Sequence, residues 1–148
     1  YNFDSRRDAK LRTYTYKILN RLASPAILEN QVWHVTKNLD FKLMQKASQI
    51  FLGSHDFTTF RASSCEATSP IRKITCSELK KNNDQIIYIV KSRSFLQHQV
   101  RSMVGAIKFV GEKKWSLKDL DEALKSKNRN NCATPAPACG LYLENVEY

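Results

Sequence analysis

Alternating hydrophobic and polar residues predict strands near both ends of the chain. Residues 10–20 (KLRTYTYKILN) place Tyr14, Tyr16 and Ile18 on one side and polar residues on the other. This alternation is typical of a strand with one aromatic face. Residues 140–148 (GLYLENVEY) show a second strand pattern.

The middle of the chain carries further strand signals. Residues 71–80 and 85–93 are two strand-like runs joined around KNND, which predicts a hairpin. The run IIYIV at 86–90 is apolar throughout, which predicts a central strand covered on both faces. VWHV at 32–35 predicts a short strand, and residues 54–69, rich in Ser and Thr, predict a loop.

Three stretches follow the 3.6-residue period of a helix. Residues 40–53 predict a helix that Asp40 caps at its start and Gly53 ends. Residues 95–110 predict a second helix with a strongly apolar stripe. Residues 116–127 predict a third, and its first residues, SLKD, have the types found in a capping box.

The order of these elements defines a fold class. Strands and helices mix without a regular βαβ alternation, and no internal repeat is present. This order predicts an α+β fold, with helices packed on one face of a mainly antiparallel sheet. At 148 residues, the chain is expected to form one domain, residues 1–148.

Charge and composition narrow the function classes. The 24 Lys and Arg residues outnumber the 14 Asp and Glu residues, and this net charge of +10 favours a polyanionic partner. No P-loop, Gly-rich dinucleotide turn or G-x-S-x-G motif is present, so nucleotide hydrolysis and hydride transfer are poorly supported. No apolar run approaches the roughly 18 residues of a membrane span.

The four cysteines give little sign of metal binding. None forms a C-x-x-C pair, and no histidine stands at zinc-ligand spacing from them. We expect reduced structural thiols in a cytoplasmic protein, without metal or membrane partner.

Arg101 occupies an unusual position in the second predicted helix, SFLQHQVRSMVGAI. It lies about 100° from Val100 around the helix axis, at the edge of the apolar stripe. Gly105, one turn on, removes a side chain that would block a close approach. Two interpretations stay open: an arginine whose stem covers apolar surface while its head reaches water, or a clamp for a carboxylate or phosphate.

Aromatic residues amid basic ones form a second candidate feature. Tyr14 and Tyr16 follow a basic stretch that includes Arg6. Such rings stack on nucleic-acid bases while cations hold phosphates, although both tyrosines could equally belong to the core.

The loop SHDFTTFR contains a His-Asp pair that tempts a catalytic interpretation. Neighbouring side chains usually diverge, and no nucleophile with an orienting third group accompanies His55 and Asp56. We expect Phe57 and Phe60 to anchor this loop and to leave Arg61 free for a phosphate.

Four stretches together resemble the TruA family of tRNA pseudouridine synthases. They are FDSRRDAKLRTYTYKI, GSHDFTTFRAS, SFLQHQVRSMVGAI and PACGLYLENVEY, in the order and spacing of that family. The resemblance covers essentially the whole chain. It implies isomerisation of uridine to pseudouridine in the anticodon stem-loop of tRNA, around positions 38 to 40, by a homodimeric enzyme without metal or cofactor.

The resemblance also implies roles for particular residues. Tyr14 in RTYTY would stack on the flipped uridine, and Arg101 in QVRSMVG would pair with the catalytic aspartate. Leu141 in GLYL would border the base. Arg6 and Arg61 would line the path of the RNA.

One family motif has no counterpart here. The nucleophilic aspartate of the family lies in an R-T-D-A-G-V-H-A motif that this sequence lacks. Asp8 in RRDAK lacks the glycine and is not assigned as the nucleophile. The chain thus resembles the C-terminal half of such an enzyme, and we expect it to be inactive alone.

Two alternatives remain at this point. The chain could be a basic RNA-binding module without catalysis. Less favourably, it could be a DNA-binding regulator whose helix at 95–110 reads base edges, although the apolar stripe leaves few outward side chains for this.

Overall fold

The fold is α+β, as the order of elements predicted. The computed structural model describes residues 3–5, 7–25, 31–65 and 67–148, and these form a six-stranded mixed sheet with three α-helices. The elements are β1 (Leu11–Asn20), β2 (Trp33–Val35), α1 (Phe41–Ile50), β3 (Gly53–Asp56), β4 (Ile71–Asn82), β5 (Gln85–Ser92), α2 (Gln99–Gly111), α3 (Leu117–Ser126) and β6 (Leu141–Glu147).

Strand β1 is the centre of the sheet, whose order from the far edge is β3-β4-β5-β1. On its other side, β1 pairs with two strands. The antiparallel β6 aligns Leu141 with Tyr16, and the parallel β2 aligns Trp33 with Ile18. The first and last strands of the chain are thus neighbours, which brings the start of β6 beside the middle of β1.

One face of the sheet is buried under the helices. Tyr16 and Ile18 of β1, paired with Tyr88 and Ile86 of β5, are at most 1% exposed and belong to the same core as Met103 of α2. The predicted aromatic face of β1 is therefore confirmed, and it is largely a core face.

The prediction that IIYIV is covered on both faces was wrong. Burial alternates strictly along β5, and Ile87 and Ile89 are half-buried on the face away from the core. Ile87 pairs with Lys17 of β1 and with Lys80 of β4, whose aliphatic stems can cover apolar surface. A strand with an entirely apolar sequence can therefore lie in a sheet that helices cover on one face only.

The first helix begins where predicted and ends earlier. The Asp40 carboxylate accepts a hydrogen bond from the Leu43 amide at 3.1 Å and caps α1. The helix ends at Ile50, and Gly53 starts β3 with φ of 92°. The predicted loop at 54–69 therefore contains a strand, because the glycine serves the turn into β3 and not the helix end.

The second helix begins four residues later than predicted. Leu96 to Gln99 form a turn, in which the Leu96 amide donates to the Gln99 side-chain oxygen at 2.8 Å and His98 has φ of 61°. Ten of the 13 residues of α2 are buried. The helix is thus part of the core, and the interpretation of α2 as a DNA-reading helix was wrong.

Two local predictions are confirmed. The Ser116 and Asp119 side chains make the reciprocal hydrogen bonds of a capping box at the start of α3. β4 and β5 form the predicted hairpin, with Asn83 in a left-handed conformation at the turn.

Candidate active site

Three residues that are distant in sequence line one cleft. Tyr14 of β1, Arg101 of α2 and Leu141 of β6 surround a cavity of about 220 Å³. The turn before α2 and the first residues of that helix complete its wall, with Phe95, Leu96, Gln97, His98, Gln99 and Val100. The volume is below the roughly 300–1,000 Å³ of pockets that enclose drug-sized ligands, so the cleft suits a single planar base.

Tyr14 is held in the cleft by an aromatic contact. Its ring is half-buried and meets Phe95 edge to face, with centroids 5.2 Å apart and planes at 87°. This contact fixes the plane of the Tyr14 ring. Phe95 was not among the residues expected at the site, although it opens the motif that contains Arg101.

Arg101 is fixed by two hydrogen bonds with one residue. Its side-chain Nε donates to the Ala136 carbonyl at 2.8 Å, and the Ala136 amide donates to the Arg101 carbonyl at 2.9 Å. Among the described residues, no hydrogen bond engages the two terminal nitrogens of the guanidinium, so they can bind other partners. The arginine is therefore held at the cleft wall, which favours the anion clamp over a loosely extended side chain.

The charge of Arg101 is not balanced by an ion pair with any residue that the structure describes. None of the residues that line the cleft carries a carboxylate either. A half-buried, unpaired guanidinium favours an anionic ligand.

Gly105 allows the segment beside Arg101 to pack against α2. A Cβ atom at Gly105 would lie 2.1 Å from the Thr134 carbonyl oxygen and 3.2 Å from the Pro135 Cα. Only glycine fits this approach. The prediction that Gly105 removes an obstruction is confirmed.

Arg61 lies beside the cleft and does not line it. The amide of Ala62 donates to the Gln97 carbonyl at 2.9 Å, which joins the Arg61 loop to the cleft turn. Phe57 and Phe60 are fully buried and anchor this loop as predicted. Arg6, the other residue expected on the RNA path, falls outside the described residues.

Cys65, four residues after Arg61, lies in a positive electrostatic environment. The pKa of the Cys65 thiol is lowered, first by a hydrogen bond from the backbone of Ala67. The charges of Arg61 and Arg72 lower it further. The loop next to the cleft thus favours anions.

The side chains of His55 and Asp56 form hydrogen bonds with residues close to them in sequence. The His55 ring lies 2.7 Å from the Leu52 carbonyl. The Asp56 carboxylate accepts from the Thr58 amide at 2.9 Å and from its hydroxyl at 2.6 Å. Partial burial raises the pKa of Asp56, but the Thr58 hydrogen bonds and the charges of Lys127 and Arg61 together lower it by more. The two side chains serve a turn, consistent with the expectation that they are not a catalytic pair.

Asp8 is likewise engaged away from the cleft. Its carboxylate accepts from the Asp4 amide at 2.7 Å, and its own amide donates to the Asp4 carbonyl at 2.8 Å. It does not line the cleft. This placement agrees with the decision not to assign Asp8 as the nucleophile.

A larger groove lies elsewhere and has the wrong charge for a polyanion. Its volume is about 680 Å³, and Phe109, Trp115, Asp119 and Glu122 contribute to its walls. Two carboxylates repel a phosphate backbone, so this groove is a poorer candidate than the cleft.

The described residues provide no metal site and no membrane span. Among them, no three His, Cys, Asp or Glu side chains are grouped so as to hold a metal ion. Within the same residues, every helix is too short or too polar to cross a bilayer.

Comparison with known sequences identifies the family. The model of the tRNA pseudouridine synthase family matches residues 47–148. A Pelagibacter ubique protein named tRNA pseudouridine synthase A is 50% identical over 146 residues, which cover 99% of this chain and 59% of that protein. Proteins of the same name from Bartonella bacilliformis and Xanthobacter autotrophicus are 44% and 45% identical, and the match covers 99% of this chain and 60% of each.

The chain belongs to the tRNA pseudouridine synthase family, and the resemblance to TruA enzymes is confirmed. It spans about 60% of the length of the curated relatives that it matches.

Proposed function

We propose that this chain is the C-terminal domain of a TruA-type synthase that isomerises uridine to pseudouridine in tRNA. The observation that carries the proposal is the meeting of Tyr14, Arg101 and Leu141 at one cleft. These residues come from three elements and lie up to 127 positions apart in the chain (141 minus 14). They are also the residues on which the family resemblance converges.

The reaction requires the base to leave its stack. Extruding a nucleotide costs a few kcal/mol, and an aromatic platform offsets part of this cost. Tyr14 supplies the ring, and Leu141 supplies an apolar border on the neighbouring strand. The size of the cleft suits one base.

The chemistry then replaces one bond by another within the same nucleotide. The bond between C1′ of the ribose and N1 of uracil breaks, the base turns, and a bond forms between C1′ and C5. The proton on C5 is lost and N1 gains one, so the product is an isomer and no redox partner is needed. A carboxylate that attacks the sugar or the base can start this sequence.

In this proposal, Arg101 is the partner of that carboxylate. Its terminal nitrogens can form a two-pronged ion pair that keeps the carboxylate ionised and oriented. The aspartate would come from a segment outside these 148 residues, because the cleft lining contains no carboxylate among the described residues. The chain alone would then bind RNA without converting it.

The basic loop beside the cleft would hold the phosphate backbone. Arg61 is joined to the cleft turn through the Ala62–Gln97 hydrogen bond, and the net charge of +10 adds a general attraction. We further propose the anticodon stem-loop around positions 38 to 40 as the target, and a cytoplasmic homodimer as the working enzyme.

Mapping pseudouridine in tRNA tests the function. A full-length synthase that contains this chain is incubated with unmodified tRNA, and pseudouridine is located by carbodiimide labelling and primer extension. We expect stops at positions 38 to 40 when a uridine stands there, and none after its replacement by cytidine. Stops elsewhere in the tRNA would reject the anticodon target.

The same assay separates catalysis from simple binding. A module that only binds RNA would retain tRNA on a filter and yield no pseudouridine in any full-length context. That outcome would reject the synthase proposal in favour of the binding module.

A further inference from the structure

We propose that Tyr16 is a positioning residue, whose buried hydroxyl holds the Ala136–Pro137 backbone and thereby fixes the guanidinium of Arg101. The inference rests on the proposed function for its catalytic consequence only. The mechanical part concerns contacts within the described residues and stands by itself.

A short chain of hydrogen bonds connects the two side chains. The Tyr16 hydroxyl donates to the Pro137 carbonyl at 2.5 Å. Ala136, the preceding residue, accepts from Arg101 Nε and donates to the Arg101 carbonyl. A shift of Pro137 would therefore move the acceptor that orients the guanidinium.

Residues 134–140 pack closely against α2 at one end and against β1 at the other. On the helix side, Gly105 admits the Thr134 carbonyl to a distance that no Cβ would allow. On the sheet side, a Cβ at Gly140 would lie 2.7 Å from the Lys17 carbonyl oxygen and 2.8 Å from the Tyr16 ring. These two close contacts hold the ends of residues 134–140, which we call the Arg101 mount, while Pro137 in its middle is exposed and is held by the Tyr16 hydroxyl.

Tyr16 acts through this segment and not on a substrate. Its side chain is fully buried, and it does not line the cleft. Burial raises the pKa of its phenol, the nearby Cys139 adds to the rise, and the charge of Arg101 opposes it. The phenol therefore stays protonated at neutral pH and donates to Pro137.

Tyr88 provides a matched control on the neighbouring strand. It pairs directly with Tyr16 in the sheet register, and it is 1% exposed on the same face. Its hydroxyl lies 2.6 Å from the Ser77 hydroxyl. Replacing either tyrosine with phenylalanine removes one hydroxyl and its hydrogen bond, but the Tyr16 hydroxyl bonds to Pro137 and the Tyr88 hydroxyl bonds to Ser77.

Hydrogen exchange at Arg101 tests the mechanical claim. In the ¹⁵N-labelled 148-residue chain, the Nε proton of Arg101 is expected to exchange slowly, because it is bonded to Ala136. We expect Tyr16→Phe to accelerate this exchange by about tenfold, because the change removes the hydrogen bond that restrains Pro137. Tyr88→Phe should leave the exchange rate of the Arg101 proton unchanged. Equal rates in both variants, with the fold checked by circular dichroism, would overturn the proposal.

Turnover in a full-length synthase tests the catalytic consequence. Well below the melting temperature, we expect Tyr16→Phe to lower kcat by about 10- to 100-fold with little change in KM, because misplacement of a reacting group by about 1 Å has this effect. Tyr88→Phe should retain the parental kcat and KM. A similar loss in both variants would show a general structural role and reject Tyr16 as a positioning residue.

The two readouts separate the two proposals. Suppose that Tyr16→Phe accelerates exchange of the Arg101 Nε proton but the parent protein forms no pseudouridine. The proposed function then fails, while the claim that Tyr16 positions Arg101 is supported. If pseudouridine forms but Tyr16→Phe leaves the exchange rate unchanged, the positioning role of Tyr16 fails and the proposed function is supported.

Discussion

Arg101 and Ala136 are joined by a reciprocal pair of hydrogen bonds, side chain to backbone in one direction and backbone to backbone in the other. The pair lies 35 residues apart in sequence and connects α2 to the segment before β6. It uses Nε of the guanidinium and leaves both terminal nitrogens for a ligand.

The first prediction concerns the charge and shape of Arg101. In a full-length synthase, Arg101→Ala should lower kcat by about 10³-fold or more, because it removes the electrostatic partner of the catalytic carboxylate. Arg101→Lys should also be impaired, since an ammonium cannot bond Ala136 and a carboxylate in the same fork geometry. Single-turnover rates measure both losses. Near-normal rates for Arg101→Ala would remove this residue from the site.

The second prediction concerns Tyr14 as a stacking platform. Tyr14→Ala should weaken binding of an anticodon stem-loop by about 1–3 kcal/mol, the usual value for one stacked base. Tyr14→Phe keeps the ring and its edge contact with Phe95, so it should bind within a factor of about two of the parent. Fluorescence anisotropy of labelled RNA on the 148-residue chain measures these affinities. Equal losses for Ala and Phe would argue against stacking.

The third prediction concerns Gly105 in the buried helix α2. Gly-to-Ala changes within helices usually stabilise by about 1 kcal/mol. At Gly105 the sign should reverse, with a loss of about 1–3 kcal/mol, because the new methyl group meets the backbone of Thr134.

Gly111 in the same helix is the control for this change. The atoms nearest to a Cβ at Gly111 belong to the side chains of Met44 and Leu39, and a flexible methionine side chain adapts more easily than backbone. Urea unfolding should therefore show a smaller loss for Gly111→Ala than for Gly105→Ala. The reverse order would contradict the packing of Thr134 on α2.

The fourth prediction concerns Arg61 as a phosphate contact. Arg61→Ala should reduce the slope of log K against log salt for RNA binding by about 0.7–0.9, the value for one phosphate contact. Lys118→Ala is the control, because Lys118 is exposed on α3 beside the acidic groove and lies 3.8 Å from Glu122. Its removal should change the slope little, and equal slopes for the two variants would place Arg61 off the RNA path.

Local patterns in the sequence were enough to predict most elements of the fold. The starts of α1 and α3 were predictable from Asp40 and from the capping box at Ser116, because both signals act within one helical turn. β3 was missed because Gly53 reads equally as a helix end or as a turn into a strand. That choice depends on the pairing of β3 with β4, which is a tertiary contact.

The sequence predicted Tyr14, Arg101 and Leu141 of the cleft lining, but it missed Phe95 and gave no geometry. Periodicity placed Arg101 at the edge of a stripe, and the family motifs named Tyr14 and Leu141. The contact with Ala136 could not be inferred, because a Pro/Ala-rich segment carries no local signal for what it packs against. Tyr16 had an equally ambiguous pattern, since a core residue and a residue that supports the site alternate identically along a strand.

Release of tritium from tRNA labelled at uracil C5 tests the central claim most directly. The claim is that this chain contributes the base platform and Arg101, and that the nucleophilic aspartate lies outside it. We predict no release by the 148-residue chain alone, and release by a full-length synthase that contains it, which Arg101→Ala abolishes. Release by the isolated chain would contradict the claim and return Asp8 as the candidate nucleophile.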